Sequence, residues 1–169
     1  KTNSIWTMAT IPTITAVSYL NTIPFVYGLK HADNLRADLL LAPPADCARN
    51  YIEGKADIAL LPVAVVPELK ETNIITEYCI GAVGAVRTVV VVSNTPIEHV
   101  KRIWLDPHSR TSVQLCGYLA KNKWRISPEW ITMNDYQVLN NPEEGDAYLI
   151  IGDKVFGYEG LFRYSYDLA

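Results

Sequence analysis

The stretch Thr13-Ile14-Thr15-Ala16-Val17-Ser18-Tyr19-Leu20-Asn21-Thr22-Ile23-Pro24 joins a strand, a polar loop and the start of a helix. Residues 13–17 alternate with β-branched side chains and predict a strand that ends at Ser18. Pro24 suits the first turn of a helix, which we expect to extend through Leu29. The loop therefore carries hydroxyl and amide side chains beside the unpaired N–H groups of a helix entry. Proteins hold small organic anions with such an arrangement.

A second stretch of the same kind is Leu105-Asp106-Pro107-His108-Ser109-Arg110-Thr111-Ser112-Val113. It follows a strand predicted over residues 103–105 and leads into a helix predicted over residues 109–123. Its hydroxyls would again lie at a helix N-terminus, where the helix dipole favours an anion. Because the two stretches are far apart in the sequence, we expect two lobes that face one ligand across a cleft.

The rest of the chain alternates strands with helices, which is typical of an α/β fold with parallel neighbouring strands. A second helix is expected to begin at residues 43–46 and to end before Gly54. Further strands are predicted over residues 39–42, 57–61, 86–92, 130–133 and 148–151. The pattern begins again after the turn residues 93–96. We therefore predict a first lobe over residues 1–93 and a second lobe over residues 94–169.

Composition restricts the classes of partner. The chain has 169 residues, of which 49% are hydrophobic and 20% charged, which is ample for a packed core. A formal net charge of -3 does not indicate a basic surface for binding nucleic acid. The longest apolar runs, residues 58–66 and 86–92, fall short of the roughly 20 residues that cross a bilayer. Residues 1–10 lack the apolar centre of a secretion signal, so we expect a cytoplasmic protein with no membrane partner.

The cysteines and histidines do not predict a metal site. The three cysteines are odd in number and widely separated, without the paired spacing of zinc or redox motifs, and we expect buried thiols at Cys47, Cys79 and Cys116. The three histidines are equally scattered, at His31, His99 and His108. No metal is therefore expected.

Five motifs resemble, in order, those of chorismate dehydratase, the enzyme that opens the futalosine route to menaquinone. They are Ser18-Tyr19-Leu20-Asn21-Thr22-x-Pro24, Gly54-Lys55-Ala56-Asp57-Ile58-Ala59-Leu60-Leu61-Pro62-Val63, Cys79-Ile80-Gly81-Ala82, Ser109-Arg110-Thr111-Ser112-Val113 and Ile150-Ile151-Gly152-Asp153. The resemblance extends from about Ile14 to Leu168. A sister family, which cuts a later cyclic intermediate to a naphthoate, carries a different first loop.

The resemblance implies a type II periplasmic-binding-protein-like fold, in which two α/β lobes joined by hinge strands close over the ligand. It also implies that the small-molecule substrate, chorismate, loses water to give 3-[(1-carboxyvinyl)oxy]benzoate without a metal or organic cofactor. Family members run on beyond this chain through elements that return to the first lobe. Without that return crossing, the first lobe is expected to expose a sheet edge and apolar surface, which favours homo-oligomers.

The resemblance also supplies candidate site residues. Asn21 and Thr88 are the candidate catalytic residues, with Thr88 standing where the family has a serine. Val83 and Ala85 depart from the Asp and Pro that many members carry nearby. The candidate substrate-binding residues are Ser18, Tyr19, Ser109, Thr111, Ser112 and Asp153.

Each candidate also has a structural interpretation. Asn21 and Ser109 are residue types that cap helices. Arg110 is expected to be an ion-pair partner rather than a substrate clamp, because neighbours at a helix start point in different directions. Thr88 is a β-branched residue that suits an ordinary strand. Gly152-Asp153 is compatible with a simple turn, and Tyr19 with packing in the core.

Two other functions share the expected fold, since fold alone does not decide function. A non-catalytic protein of the solute-binding type would hold a small carboxylate without turnover and would normally be exported. A ligand-sensing domain would be joined to a DNA-binding helix-turn-helix, for which there is no room before Ile14. The enzyme is therefore the preferred interpretation, and formation of product would separate it from a binding protein.

Overall fold

The computed structural model describes residues 11–168, so residues 1–10, with the prediction that they hold no secretion signal, lie outside it. The first of two sheets contains three parallel strands in the order β2-β1-β3. Its strands are β1 (Thr13–Val17), β2 (Asp38–Ala42) and β3 (Ile58–Ala59). Helix α1 (Ile23–His31) connects β1 to β2, and α2 (Pro44–Ile52) connects β2 to β3.

The second sheet contains five strands in the order β6-β5-β7-β4-β8. They are β4 (Val89–Ser93), β5 (Arg102–Leu105), β6 (Glu129–Thr132), β7 (Asp146–Ile151) and β8 (Tyr164–Asp167). Strand β5 runs parallel to β6 and β7, whereas β4 runs antiparallel to β7 and β8. Helix α3 (Thr111–Leu119) follows β5 and continues into a wider π-helical turn, Ala120–Trp124.

Both faces of the second sheet are covered. Every residue of β7 is buried, and alternate valines of β4 belong to separate core clusters on the two faces. Val91 packs with Ile103, Leu149 and Cys116 of α3, while Val90 and Val92 pack with Tyr148 and Ile150. A strand buried on both sides has a continuous apolar run, which explains the valine-rich and isoleucine-rich sequences of β4 and β7.

The sequence predicted the local elements well. The bounds of β1 are as expected, and β2, α2, β5, β6 and β7 lie close to their predicted positions. Other expectations were wrong in detail: the strand expected over residues 86–92 is β4, which begins at Val89 and ends at Ser93, and β8 was not predicted. Helix α1 continues past Gly28 to His31, β3 has only two residues, and the helix expected over residues 109–123 begins at Thr111 and ends in the π-helical turn. The parallel arrangement holds in the first sheet, but the second sheet is mixed.

Strand β4 lies in the second sheet, although the sequence placed residues 86–92 in the first lobe. Its hydrogen-bond partners are β7 and β8, and both follow it in the chain by many residues. A division by sheet membership therefore falls between β3 and β4 rather than after residue 93. The division into lobes over residues 1–93 and 94–169 stays a prediction, and sheet membership favours an earlier boundary, before β4.

The first sheet is less well covered than the second. Helix α1 has no buried residue, and Ile23 and Tyr27 on it are more than half exposed. On β2, Leu40 and Leu41 are also exposed. The apolar surface that the sequence predicted for the first lobe is thus present, while self-association through it stays a prediction. Within residues 11–168, the helices are all too short or too polar to cross a bilayer.

The difference in burial predicts unequal costs for two leucine truncations. Leu149 on β7 is fully buried, whereas Leu41 on β2 is 45% exposed. We expect Leu149→Ala to lower the free energy of unfolding by about 2–5 kcal/mol, and Leu41→Ala by less than about 1 kcal/mol. Urea unfolding monitored by tryptophan fluorescence measures both. Equal losses would contradict the assignment of the core to the second sheet.

Candidate ligand-binding cleft

A cleft of about 350 Å³ lies between the two sheets. Its walls are the loop after β1, the segment after β3, the entry to β4, the N-terminus of α3 and the end of β7. Ligands of open α/β sheets bind outside the carboxyl ends of the strands, and this volume falls in the usual range for small-molecule sites. The wall residues are Val17, Tyr19, Asn21, Thr22, Pro44, Leu60, Leu61, Pro62, Val63, Cys79, Ile80, Thr88, Val89, Ser109, Arg110, Thr111, Ser112, Ile151 and Gly152.

The structure brings most of the sequence-predicted site residues to this cleft. They are Tyr19, Asn21, Thr88, Ser109, Thr111 and Ser112. Ser18 and Asp153 do not line it. The backbone N–H of Ser18 donates to the carbonyl of Ala42 at 3.0 Å, which extends the pairing of β1 with β2. The carboxylate of Asp153 accepts the N–H of Leu20 at 3.2 Å. This side chain therefore stabilises the loop after β1 and does not face the cleft.

Asn21 lies in a short 3₁₀ turn, Leu20–Thr22, that precedes α1. The buried hydroxyl of Thr22 donates to the amide oxygen of Asn21 at 3.3 Å. Since the oxygen is engaged, the amide NH₂ of Asn21 remains the donor that the side chain offers to a ligand. Neither this turn nor α1 has a side-chain cap hydrogen bond, so Asn21 does not act as the helix cap that its residue type allows.

The N-terminus of α3 is organised by two of its own hydroxyls. The Ser109 hydroxyl accepts the N–H of Ser112 at 3.1 Å, a hydrogen bond of the capping type, although the N-cap residue directly before α3 is Arg110. The Thr111 hydroxyl accepts the N–H of Ala64, across the cleft, at 3.3 Å. Ser112 and the hydrogen of the Thr111 hydroxyl therefore remain available, together with the helix dipole, for an anion.

Arg110 pairs with Glu68, which ends the turn Val63–Glu68 that follows the first sheet. Two hydrogen bonds of 2.8 and 2.9 Å join one guanidinium nitrogen to both carboxylate oxygens. The ion-pair interpretation of Arg110 is therefore confirmed. Among the described residues, Arg110 is the one cationic side chain in the cleft wall, so an anion bound here would depend mainly on neutral donors.

Tyr19 contacts the turn after β7. Gly152 has a φ of +71°, and a Cβ built at this position would lie 2.8 Å from a ring carbon of Tyr19. Glycine is thus required both by the backbone conformation and by the close approach of the ring. Burial, with smaller contributions from the negative charges of Asp106 and Asp153, raises the pKa of Tyr19 to about 12. The phenol is therefore protonated at neutral pH and can donate a hydrogen bond.

Thr88 is held at the entry to β4 by the same turn. Its carbonyl accepts the N–H of Gly152 at 2.7 Å. The preceding residue, Arg87, adopts a left-handed conformation with a φ of +62°. The carboxylate of Asp167 on β8 accepts the N–H groups of Val86 and Arg87, which holds this uncommon conformation in place. Thr88 therefore does not belong to the regular strand that its residue type indicated.

Several residues in or beside the wall were not among the predicted site residues. Residues 60–63 form an apolar part of the wall, and they belong to a motif that had served only to establish the resemblance. Cys79 was expected to be buried, but it is exposed and lines the cleft, whereas Cys47 and Cys116 are buried as predicted. Asp106 was also not among the predicted site residues, although a polar residue directly after a strand lies at the edge of the sheet where ligands usually bind.

Fold and cleft together define a two-sheet α/β protein with a candidate small-molecule cleft at the carboxyl ends of its strands. Over residues 12–169 the chain matches the family described as menaquinone biosynthesis, and it belongs to that family.

Solved structures support the fold. Protein AF1704 from Archaeoglobus fulgidus superposes with a TM-score of 0.63 and 19% identity, over 95% of this chain and 61% of that protein. A chain of the ATP phosphoribosyl transferase (HisG:HisZ) complex from Thermotoga maritima gives a TM-score of 0.52 and 16% identity, over 94% of this chain and 82% of that one. At these identities the likeness concerns the α/β fold alone. The chain thus spans about three fifths of the length of the Archaeoglobus protein.

The contact between Tyr19 and Gly152 predicts a specific cost for alanine. Gly160 has a similar φ of +75°, but a Cβ at that position would meet no atom within 4 Å, so Gly160→Ala isolates the conformational cost. We expect Gly160→Ala to cost about 1 kcal/mol and Gly152→Ala at least about 1–3 kcal/mol more, because the Tyr19 ring must move. Urea unfolding measures the difference. Equal losses of stability in the two variants would show that the Tyr19 ring does not pack closely against Gly152.

Proposed function

We propose that this protein is a chorismate dehydratase, which converts chorismate to 3-[(1-carboxyvinyl)oxy]benzoate and water. The observation that carries the proposal is the cleft itself, because Asn21, Thr88 and the N-terminus of α3 border one space although they are distant in the sequence. Family membership and the motif at residues 18–24 support the same assignment.

The proposed reaction is an elimination from the ring. Chorismate carries two carboxylates, a ring hydroxyl and an enolpyruvyl ether. A ring C–H bond and the C–O bond of the hydroxyl break, the C–H electron pair forms a ring double bond, and the proton and hydroxide leave as water. Because the product is aromatic, formation of the aromatic ring supplies the driving force. The protein has mainly to orient the ring and to stabilise the charge that develops.

The N-terminus of α3 is the proposed carboxylate site. The hydroxyls of Thr111 and Ser112 and the N–H groups of the first helical turn, apart from that of Ser112, would hold the anion, with the positive end of the dipole behind them. The Arg110 guanidinium is already engaged with Glu68. The substrate carboxylate would therefore be held mainly by neutral donors.

Asn21 and Thr88 are the proposed polar contacts of the reacting ring. The free NH₂ of Asn21 would donate to the departing hydroxyl or to the enolpyruvyl group, and the Thr88 hydroxyl would support the same region. Apolar side chains beside them would pack against the ring; these are Leu60, Leu61, Val63, Val89 and Ile151.

The cleft wall contains no His, Asp or Glu within residues 11–168. We therefore infer that the enolpyruvyl carboxylate of the substrate takes the ring proton. Asp153, which holds Leu20, would then be needed for the shape of the loop and not for proton transfer. An Asp153→Asn variant that binds chorismate normally but does not turn it over would contradict this inference.

The first test is turnover of chorismate by the parent chain, followed by loss of chorismate absorbance and by mass detection of the product. We expect Asn21→Ala to lower kcat/KM by about 10²–10³-fold, the usual effect of removing one donor that acts on developing charge. Asn34→Ala, at an exposed position outside the cleft, is the matched control. Calorimetric binding of chorismate without product would instead identify a protein that only binds the acid.

Thr88 gives a second test because its hydroxyl, which donates to the carbonyl of Val86 at 3.4 Å, can be removed with little change in side-chain volume. Thr88→Val keeps the β-branched volume, whereas Thr88→Ser keeps the hydroxyl. We expect the serine variant to retain kcat within about threefold and the valine variant to lose at least about tenfold, as one hydrogen bond to charge that develops in the transition state is worth at least about 1.4 kcal/mol. Steady-state kinetics of both variants measure the difference. Equal activity of the two would remove Thr88 from the reaction.

A further inference from the structure

One buried carboxylate joins two parts of the cleft. Asp106 directly follows β5 and is only 1% exposed. Its Oδ1 accepts the N–H of His108 at 2.9 Å, and its Oδ2 accepts the N–H of Ile151 at 3.3 Å. The Nζ of Lys154 donates to the same Oδ2 at 2.8 Å.

These bonds link two of the segments of the second sheet that border the cleft. His108 lies directly before Ser109, so its N–H fixes the approach to the N-terminus of α3. Ile151 is the last residue of β7, so its N–H fixes the position of Gly152, against which Tyr19 packs. Beyond the point where the backbone pairing of β5 with β7 ends, the Asp106 side chain thus directly links the proposed carboxylate site to the turn that Tyr19 contacts.

The surroundings of Asp106 favour a fixed geometry. A buried carboxylate is stable only where donors replace water, and here two backbone N–H groups and an ammonium do so. Lys154 also donates to the hydroxyl of Tyr136, and its Nζ lies 4.2 Å from the centre of that ring. Burial and the nearby charge of Asp106 raise the pKa of Tyr136, so its phenol stays neutral.

We propose that Asp106, with Lys154 as its counter-ion, is a positioning residue that sets the spacing between the N-terminus of α3 and the Gly152 turn on the second-sheet side of the cleft. The inference rests on the proposed function where it concerns catalysis. Its structural part, the joint fixing of two segments, is independent of any substrate. Removing the charge should therefore loosen both segments together.

The test compares Asp106→Asn with a matched carboxylate at the other end of β7. Asp146 is also buried, and it forms an ion pair with Arg102 at 2.5 Å, outside the cleft wall. Amide hydrogen exchange reports on residues 108–113 and 151–154 in each variant. We expect Asp106→Asn to speed exchange in both segments by at least about tenfold, whereas Asp146→Asn lowers overall stability and leaves the ratio between these segments and the rest of the sheet unchanged.

A double variant separates positioning from the effect of an unpaired lysine. Asp106→Asn leaves Lys154 without its partner, and Asp106→Asn with Lys154→Met removes that charge as well. If Asp106 acts by holding the two backbone N–H groups, the double variant keeps the fast exchange and a kcat/KM for chorismate lowered at least about tenfold. Recovery of both readouts in the double variant would overturn the proposal, and so would fast exchange in only one segment.

The experiments distinguish an error in the proposed dehydratase function from an error in the proposed role of Asp106. A parent chain that forms no product from chorismate would refute the dehydratase assignment but leave the exchange comparison intact. Normal exchange in Asp106→Asn together with active parent protein would refute the positioning role and leave the dehydratase assignment standing.

Discussion

Strand β7 is the element on which the rest of the structure depends, because it is buried along its whole length and joins the two halves of the second sheet. It pairs parallel with β5 on one side and antiparallel with β4 on the other. Its first residue, Asp146, forms an ion pair with Arg102, and its carbonyl accepts the Ser93 hydroxyl. Its last residue donates to Asp106. The strand therefore fixes the position of the Gly152 turn, and through that turn the position of Tyr19.

Contacts between the two sheets surround the cleft rather than lie apart from it. Tyr19 packs on Gly152, the N–H of Ala64 donates to Thr111, and Arg110 pairs with Glu68. The Arg110–Glu68 pair is nearly half exposed and contributes only about 0–1 kcal/mol. Packing of Tyr19 and the backbone hydrogen bonds are thus the stronger connection. The same side chains that connect the two sheets therefore also shape the cleft.

The chemistry of the cleft wall is compatible with the anionic substrate proposed above, although the protein carries a net negative charge. Arg110 is neutralised by Glu68, and Lys154 by Asp106. Binding would therefore depend on oriented hydroxyls, an amide and a helix N-terminus, all of which act at short range. Because such donors are fixed by the fold, they would stabilise charge in the proposed reaction without reorganisation. The buried carboxylate of Asp106 contributes indirectly, since it holds two of the segments that carry or contact these donors.

The sequence by itself determined the local elements and the polar loops. Alternating β-branched residues located β1, and the hydroxyl-rich stretches at residues 18–24 and 105–113 located two walls of the cleft. Tertiary structure alone decided that β4 joins the second sheet, that Cys79 faces the cleft and that Asp106 links two segments. The reason is physical: backbone propensity depends on neighbours in the chain, whereas the partner of a strand or a carboxylate is chosen among groups that only folding brings together.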